Sequence, residues 1–223
     1  MKKNYLFNCL SVLLFSFFLV GCSAEETKTV EKQEEVVEEV KEYTVTDDVG
    51  NEITFEEVPE TIVSLQPSNT EILFALGVGD KIVGATDYDT YPAEALEIER
   101  VSDSVAFNAE RITELNPDVV IAYTIGQEEA LQLLEDTGLK VFVIESATSF
   151  EDVYGDIEQL ASVMGIEEKG QEVISSIQDT IKEVQERVES ATPLKKVYYE
   201  ISPSPDIYTT GSKTFQQEIL VAA

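Results

Sequence analysis

The sequence contains no histidine and no tryptophan in its 223 residues. Without an imidazole there can be no serine–histidine catalytic pair and no zinc or manganese site built on histidine. A lysine or carboxylate base remains conceivable, but no spacing in the sequence singles one out. We therefore predict that the chain is not an enzyme and that it holds no metal and no resident cofactor.

Cysteine occurs only twice, as Cys9 and Cys22. Cys9 lies in a largely apolar run over residues 5–20, which follows two lysines. That run is shorter than the roughly 20 residues of a membrane span and is typical of a signal peptide. It ends at Leu19-Val20-Gly21-Cys22, a pattern typical of a lipobox, in which the cysteine sulfur receives lipid. We therefore predict no disulfide, and a membrane lipid anchor at Cys22 on the extracytoplasmic face of the cell membrane.

Basic residues are scarce, because 15 Lys and Arg stand against 44 Asp and Glu, a net charge of −29. Such a chain has no basic patch to neutralise phosphates, which excludes nucleic acid as a partner. The same charge repels an anionic lipid surface and keeps the body of the protein off the membrane. Residues 23–42 are mostly Glu, Lys, Thr and Val, with too little apolar surface to fold. We predict that they form a solvated acidic tether.

Beyond the tether the pattern changes to alternating strands and helices. A small hairpin is predicted over residues 43–55, with Gly50-Asn51 at its turn. Continuous apolar runs then predict strands that are covered on both faces and are therefore parallel. These runs cover residues 61–65, 81–85, 119–123 and 141–144. Ser68 with Glu71 predicts a capping box on the first helix, and Ser149 caps a later one.

A long amphipathic helix is predicted over residues 167–191. Its apolar residues recur at steps of three and four, which is one stripe on an α-helix, and they are Ile174, Ile177, Ile181, Val184 and Val188. An ordinary surface helix and a rigid spine between two lobes both fit this pattern. We divide the chain into a lipoprotein signal peptide (1–22), an acidic tether (23–42), an N-terminal α/β lobe (43–165), an interlobe spine helix (166–192) and the start of a C-terminal lobe (193–223).

Polar and aromatic residues follow the predicted strands, where ligands of open parallel sheets bind. The residues that we predict to bind ligand are Pro67, Ser68, Asn69, Tyr88, Tyr123 and Tyr208. Aromatic faces with hydroxyls and amides, and without a nucleophile–base pair, favour a small-molecule binding module. A lipid-anchored enzyme or a structural surface protein is the alternative from another class.

Several stretches carry a family resemblance, among them residues 62–65, 67–72, 108–112, 115–120 and 197–211. Together they resemble the substrate-binding lipoproteins of ABC importers for cobalamin, ferric siderophores and haem. Members of that family hold a ligand between two α/β lobes joined by one long helix. The resemblance implies an α/β fold of two lobes with parallel sheets, the second lobe being incomplete in this chain. Because one of the two lobes is incomplete, we expect this chain by itself to bind its ligand weakly or not at all.

The likeness is greatest to the cobalamin-binding members, in which aromatics matching Tyr88 and Tyr123 line the cleft. Triscatecholate siderophores are polyanions that need a cage of Arg or Lys, and only three arginines are present. Haem usually needs an axial ligand, for which only a tyrosine or Met164 could serve. We therefore expect a monomer that captures a corrinoid, with a ferric siderophore or haem as the alternative. The resemblance also implies that Glu110 docks on the membrane permease.

Overall fold

The computed structural model describes residues 42–103, 106–123, 128–189, 196–202 and 204–223. The strands of its hairpin are β1 (Tyr43–Thr46) and β2 (Glu52–Phe55). The main sheet consists of β3 (Ile62–Ser64), β4 (Ile82–Thr86), β5 (Arg100–Ser102), β6 (Val119–Tyr123) and β7 (Val141–Ile144). All its strands are parallel, in the order β5-β4-β3-β6-β7. The signal peptide, Cys22 and the tether lie outside the described residues.

Helices follow most of these strands. They are α1 (Pro67–Ala75), α2 (Ala109–Leu115), α3 (Glu128–Asp136), α4 (Phe150–Val163), α5 (Glu167–Val188) and α6 (Phe215–Ala222). Between α5 and α6 lie two short strands, β8 (Glu200–Ser202) and β9 (Tyr208–Thr209). Within the described residues, none of the helices combines the length and the apolar character that a membrane crossing requires.

Two hydrophobic clusters cover the two faces of the sheet. Ile121 belongs to the cluster formed with α1, α4 and α5, whereas its neighbour Val120 belongs to the cluster formed with α2 and α3. Successive residues of a strand point to opposite faces, so both faces of β6 are buried. The prediction of parallel strands covered on both sides is confirmed.

The hairpin is attached to the free edge of β7 and to the end of α4. The Asp47 carboxylate accepts a hydrogen bond from the backbone N–H of Val143 at 3.2 Å, and the Tyr43 hydroxyl donates to the carbonyl of Val163 at 2.7 Å. Tyr43 also stacks on Phe55, with ring centroids 5.4 Å apart. The hairpin thus covers a sheet edge that would otherwise expose unpaired backbone groups.

The beginnings of β3 and β6 are joined through a single carboxylate. Asp118 Oδ2 accepts hydrogen bonds from the backbone N–H groups of Glu60 and Thr61, both at 2.8 Å. It also accepts one from the Thr61 hydroxyl at 3.0 Å. These bonds fix the register of two strands that are far apart in the sequence.

The predicted capping box at Ser68 is wrong. The first helix begins at Pro67, its N-cap is Gln66, and no side chain caps it. Proline suits the first helical position because its φ angle is preset and it has no N–H to satisfy. By contrast, Ser149 caps its helix as the sequence predicts, and the structure adds a reciprocal capping box with Asp152.

The strand pairing after α5 differs from the parallel pattern that the sequence suggested for a second lobe. Among the described residues of this segment, β8 and β9 pair antiparallel, with Glu200 opposite Thr209. The connection between them is too short for the crossover that parallel strands require. The last helix, α6, follows these strands, and Thr214 caps it by accepting the backbone N–H of Gln217.

The long helix α5 packs against the body through its first half only. Ile174 is 5% exposed, whereas Val184, ten positions later in the same stripe, is 37% exposed. Gly170 lies against α4 so closely that a Cβ at this position would be 2.7 Å from the Cβ of Ala161. The absence of a side chain at Gly170 therefore allows the two helices to approach each other.

Candidate ligand-binding site

The order of the strands creates a crevice beside the centre of the sheet. From β3 the chain adds β4 and β5 on one side and then returns to add β6 and β7 on the other. Loops that leave neighbouring strands in opposite directions open a crevice at the carboxyl edge, which is where ligands of such sheets bind. A cavity of about 470 Å³ lies at this edge.

The cavity has a polar rim and an apolar floor. The rim is formed by residues that follow the strands or begin α1, namely Gln66, Ser68, Asn69, Glu71, Tyr91, Tyr123, Glu145 and Ser146. The floor is formed by aliphatic and aromatic side chains of α1, α4, α5 and α6, among them Ile72, Val153, Ile157, Val173, Ile177 and Phe215. Such a mixture of a few polar groups and many apolar ones is typical of small-molecule sites.

Two hydroxyls hold the first turn of α1 beside the end of β3. Thr70 Oγ1 donates to Ser64 Oγ at 2.8 Å, and both residues are buried. The Gln66 carbonyl accepts the backbone N–H of Asn69 at 3.1 Å. The arrangement leaves the Asn69 side chain 1% exposed in the cavity wall, with no hydrogen-bond partner for either its Oδ1 or its Nδ2 in the described part of the chain. A buried amide without partners is costly, so Asn69 is the residue here that most needs a ligand.

Tyr123 is fixed at the last position of β6. Its hydroxyl oxygen accepts a hydrogen bond from Ser146 Oγ at 2.8 Å, and its backbone is paired with Ile144 of β7. A phenol that accepts one hydrogen bond can still donate its own proton. The Tyr123 ring is therefore held in the cavity wall with a donor to spare.

A second tyrosine reaches the cavity from the loop after β4. Tyr91 lines the cavity, whereas Tyr88 in the same loop is 63% exposed and is not among the lining residues. The loop is anchored by Asp89, which is 1% exposed and accepts hydrogen bonds from the backbone and the hydroxyl of Thr86. Arg100 Nη2 donates to the Asp89 carbonyl at 3.0 Å. Asp89 therefore sets the position of both tyrosines without contacting the cavity.

The charged groups of the cavity are acidic. Glu71, Glu145 and Asp156 line it, and among the described lining residues none is basic. Burial raises the pKa of Asp156 to about 7, and the carboxylates of Asp48 and Asp152 add to the effect. Desolvation, followed by the charge of Asp89, also raises the pKa of Glu71. The cavity thus favours hydrogen-bond donors and disfavours anions.

Neither a carboxylate metal site nor an accessible methionine ligand for haem iron is found in the described part of the chain. Across the described ranges, no group of three or more His, Cys, Asp or Glu side chains is placed to hold a metal ion. Met164, which the sequence offered as an axial ligand for haem, is 2% exposed and belongs to the hydrophobic cluster beneath α1. Its sulfur is therefore not available to a ligand.

The structure brings three of the six predicted ligand residues together. Ser68, Asn69 and Tyr123 line the cavity, whereas Pro67, Tyr88 and Tyr208 are not among its lining residues. Tyr208 is 63% exposed in β9. Glu110 is exposed in the first turn of α2, on the opposite side of the sheet from the helices of the cavity floor.

Sequence reasoning missed most of the cavity lining, including Tyr91, Asp156 and Phe215. Tyr91 follows the same strand as Tyr88, so the sequence placed it near the site without distinguishing the two tyrosines. Nothing in the sequence marks Asp156 as a cavity residue, because an acid on an amphipathic helix is ordinarily solvated. Phe215 could have been found only from tertiary structure, since it reaches the site from α6 and its ring packs edge-on against Phe150 at 5.4 Å.

Comparison with known proteins agrees with this architecture. The family model described as periplasmic binding protein matches residues 62–223. The chain belongs to this family. An uncharacterized ABC transporter substrate-binding lipoprotein of Bacillus subtilis, YvrC, is 39% identical over 217 residues, which cover 94% of this chain and 68% of YvrC.

Two solved structures of the family are also similar. A possible iron-binding, periplasmic solute-binding protein from Staphylococcus epidermidis is 29% identical, with a TM-score of 0.67, over 74% of this chain and 66% of that one. The periplasmic vitamin B12-binding protein BtuF of Vibrio cholerae is 30% identical, with a TM-score of 0.63, over 74% of this chain and 64% of BtuF. The chain thus spans about two thirds of the length of these relatives. Because the periplasmic binding proteins are a family of binding proteins, the prediction that the chain is not an enzyme is confirmed.

Proposed function

We propose that this chain belongs to an extracytoplasmic, lipid-anchored protein that captures a corrinoid such as cobalamin and delivers it to an ABC permease. The observation that supports this class of ligand is the cavity at the carboxyl edge of the sheet. It combines two tyrosines, three acids and a buried amide that has no partner among the described residues, and its described lining includes no basic residue. A large, neutral ligand with aliphatic and amide side arms complements this surface.

The alternative ligands fit these groups less well. A ferric catecholate siderophore is a polyanion, and an acidic rim repels it. Haem carries two propionates and needs an axial ligand, which buried Met164 cannot provide. Tyr91 and Tyr123 could still supply a phenolate to iron, and the similarity to the possible iron-binding protein of Staphylococcus epidermidis keeps an iron complex as the second candidate.

The size of the cavity supports a ligand held between two lobes. A volume of about 470 Å³ accommodates a drug-sized molecule or a side arm of a larger one, but not a whole corrinoid. We propose that the N-terminal lobe holds one side of the ligand and that α5 connects it to a second lobe that holds the other. The segment with β8, β9 and α6 would be the beginning of that second lobe. Tyr208 would face the ligand from this segment, and Pro67 and Tyr88 would face it from the N-terminal lobe.

Two further residues would connect the protein with the membrane and with the permease. Cys22 would carry the lipid anchor, in keeping with the lipoprotein character of the Bacillus subtilis relative. Glu110 would contact the permease. It is exposed, it lies away from the cavity, and it accepts no hydrogen bond in the described part of the chain, so it is free to pair with a basic residue.

Calorimetric titration of the protein produced from its complete reading frame tests the ligand. We expect micromolar or tighter binding of cyanocobalamin, and no comparable binding of haem or of a ferric catecholate. A ferric hydroxamate provides a further comparison, because it is an iron complex without the negative charge of the catecholate. Tight binding of an iron complex together with no binding of cyanocobalamin would replace the corrinoid by the second candidate.

A further inference from the structure

We propose that Asn69 and Asp156 form a subsite for one side arm of the ligand that ends in a hydrogen-bond donor, most simply a primary amide on a short aliphatic stem. The proposal rests on the proposed function and specifies which chemical group of the ligand enters this cavity. Neither side chain makes a hydrogen bond within the described chain, and both residues line the same cavity.

Asn69 is the first of the two observations. The residue is 1% exposed, and the side-chain carbonyl oxygen and amide nitrogen both lack a hydrogen-bond partner among the described residues. The neighbouring Thr70 hydroxyl in the same turn is satisfied, since it donates to Ser64 Oγ at 2.8 Å. An amide can accept from one ligand atom and donate to another, and a primary amide on the ligand offers both complements in one group.

Asp156 independently supplies a second polar side chain to the proposed subsite. It comes from α4 rather than α1, its side chain is 8% exposed, and it accepts no hydrogen bond within the described residues. The nearby Asp48 carboxylate is already occupied, because it accepts from Glu145 N at 2.7 Å and from Gln159 Nε2 at 2.6 Å. Among the acids nearest to α4, Asp156 therefore remains available as an acceptor, and a donor from the ligand would complete its hydrogen bonding.

The apolar floor of the cavity determines which kind of ligand arm can carry the hydrogen-bond donor. Ile157, Val173 and Ile177 lie in the same cavity as the two polar residues. Burial of methylene groups against such side chains is favourable by about 0.8 kcal/mol each. An arm with one or two methylene groups and an amide at its tip satisfies both the floor and the polar wall. A carboxylate at the tip would face Asp156 with like charge.

Corrinoids provide the probe, because mild hydrolysis of cyanocobalamin converts one propionamide arm at a time into a propionate. The protein from the complete reading frame is titrated at about pH 8 with cyanocobalamin and with each of its monocarboxylic acids. We expect one of these acids to bind at least about tenfold more weakly than cyanocobalamin, since hydrogen bonds to charged groups have at least that effect. The variant Asp156→Asn should bind that acid and cyanocobalamin with affinities within about threefold, because an amide can donate to a carboxylate.

The control is Asp179→Asn, which removes one negative charge from an exposed position of α5 outside the cavity. This variant should still bind the same monocarboxylic acid more weakly than cyanocobalamin. Equal binding of cyanocobalamin and all its monocarboxylic acids by the wild type would overturn the subsite and leave the proposed function standing. Discrimination that persists in Asp156→Asn would also overturn the role of Asp156. Failure of the wild type to bind any corrinoid would overturn both proposals. The comparison within the wild type needs no variant, so it stands even if a variant does not fold.

Discussion

Asp48, in the turn of the N-terminal hairpin, accepts a hydrogen bond from the backbone N–H of Glu145, 97 positions later, at 2.7 Å. Glu145 is the first residue after β7 and lies on the rim of the cavity. The other carboxylate oxygen of Asp48 accepts from the side chain of Gln159 in α4. One side chain of the hairpin therefore connects the end of the edge strand β7 to a helix of the cavity floor.

We predict that Asp48→Ala lowers the free energy of unfolding by about 1–2 kcal/mol, because the N–H of Glu145 and the amide of Gln159 lose their acceptor. Urea unfolding monitored by circular dichroism measures the change. Val49→Ala is the matched control, since Val49 is exposed in the same turn and its truncation should change the stability by less than about 0.5 kcal/mol. Equal losses in the two variants would contradict the role of Asp48.

Asp156 gives a prediction on the pH dependence of stability. Its pKa is raised from 3.8 in the unfolded chain to about 7 in the folded protein, so the folded state keeps a proton that the unfolded state loses. Stability from this group is therefore fully present below about pH 4 and declines as the pH rises towards 7. The acids that face Asp156 are Asp48, Asp152 and the cavity residues Glu71 and Glu145.

Asp156→Asn removes this titration. We expect the variant to gain about 1–2 kcal/mol relative to the wild type between about pH 4 and pH 8, allowing for screening by solvent at the cavity mouth. Urea unfolding of both proteins across this range gives the difference. A difference that is independent of pH would show that Asp156 does not titrate as the structure indicates. Asp179→Asn, at an exposed position, is the control.

The contact between α4 and α5 is tested by two glycine substitutions. In Gly170→Ala the new Cβ would be 2.7 Å from the Cβ of Ala161, so the helices must separate, and we expect a loss of about 1–3 kcal/mol. In Gly155→Ala, within α4, the new Cβ meets nothing within 4 Å. The higher helix propensity of alanine should then stabilise the protein by about 0.5–1 kcal/mol. Thermal unfolding separates the two cases, because the melting temperature should fall in the first variant and rise in the second.

Glu110 gives a prediction that depends on the proposed permease. We expect Glu110→Ala to leave the affinity for cyanocobalamin unchanged and to weaken association with the permease by about tenfold, the effect of losing one close charge pair. Co-purification with the permease in detergent, combined with calorimetry, measures both quantities. Glu135→Ala removes an exposed acid from α3 instead and should change neither. Unaltered association of Glu110→Ala with the permease would exclude the docking role.

The sequence predicts best those elements that local patterns determine. Residues 119–123 and 141–144 are predicted with the bounds that the structure has, because each is a continuous apolar run whose side chains are almost all buried. The capping box of Ser149 is likewise a local feature. The strand Arg100–Ser102 is missed, since it is short, begins with a charged residue and lies at the edge of the sheet, where pairing with β4 rather than composition determines its structure.

The site is predicted less completely than the fold. The rule that ligands bind at the carboxyl ends of parallel strands locates Ser68, Asn69 and Tyr123 in the cavity wall. It cannot find residues that helices contribute, because a helix face is buried or exposed according to its tertiary neighbours. Asp156 is the example, since the same acid would be solvated if α5 and the hairpin were not packed beside it. The burial of both amide atoms of Asn69 is likewise a property of the assembled structure.

The central place of β3 also affects how the protein folds. Its neighbour β6 reaches it only after a long excursion through β4 and β5, and the Asp118 carboxylate that joins their starts lies 57 positions beyond Thr61. Pairings that close such long loops form slowly. Refolding, followed by tyrosine fluorescence because the chain has no tryptophan, should therefore take milliseconds to seconds rather than microseconds. If the predicted signal peptide over residues 1–22 directs the chain across a membrane, the slow pairing of β3 with β6 leaves time for the chain to cross before it folds.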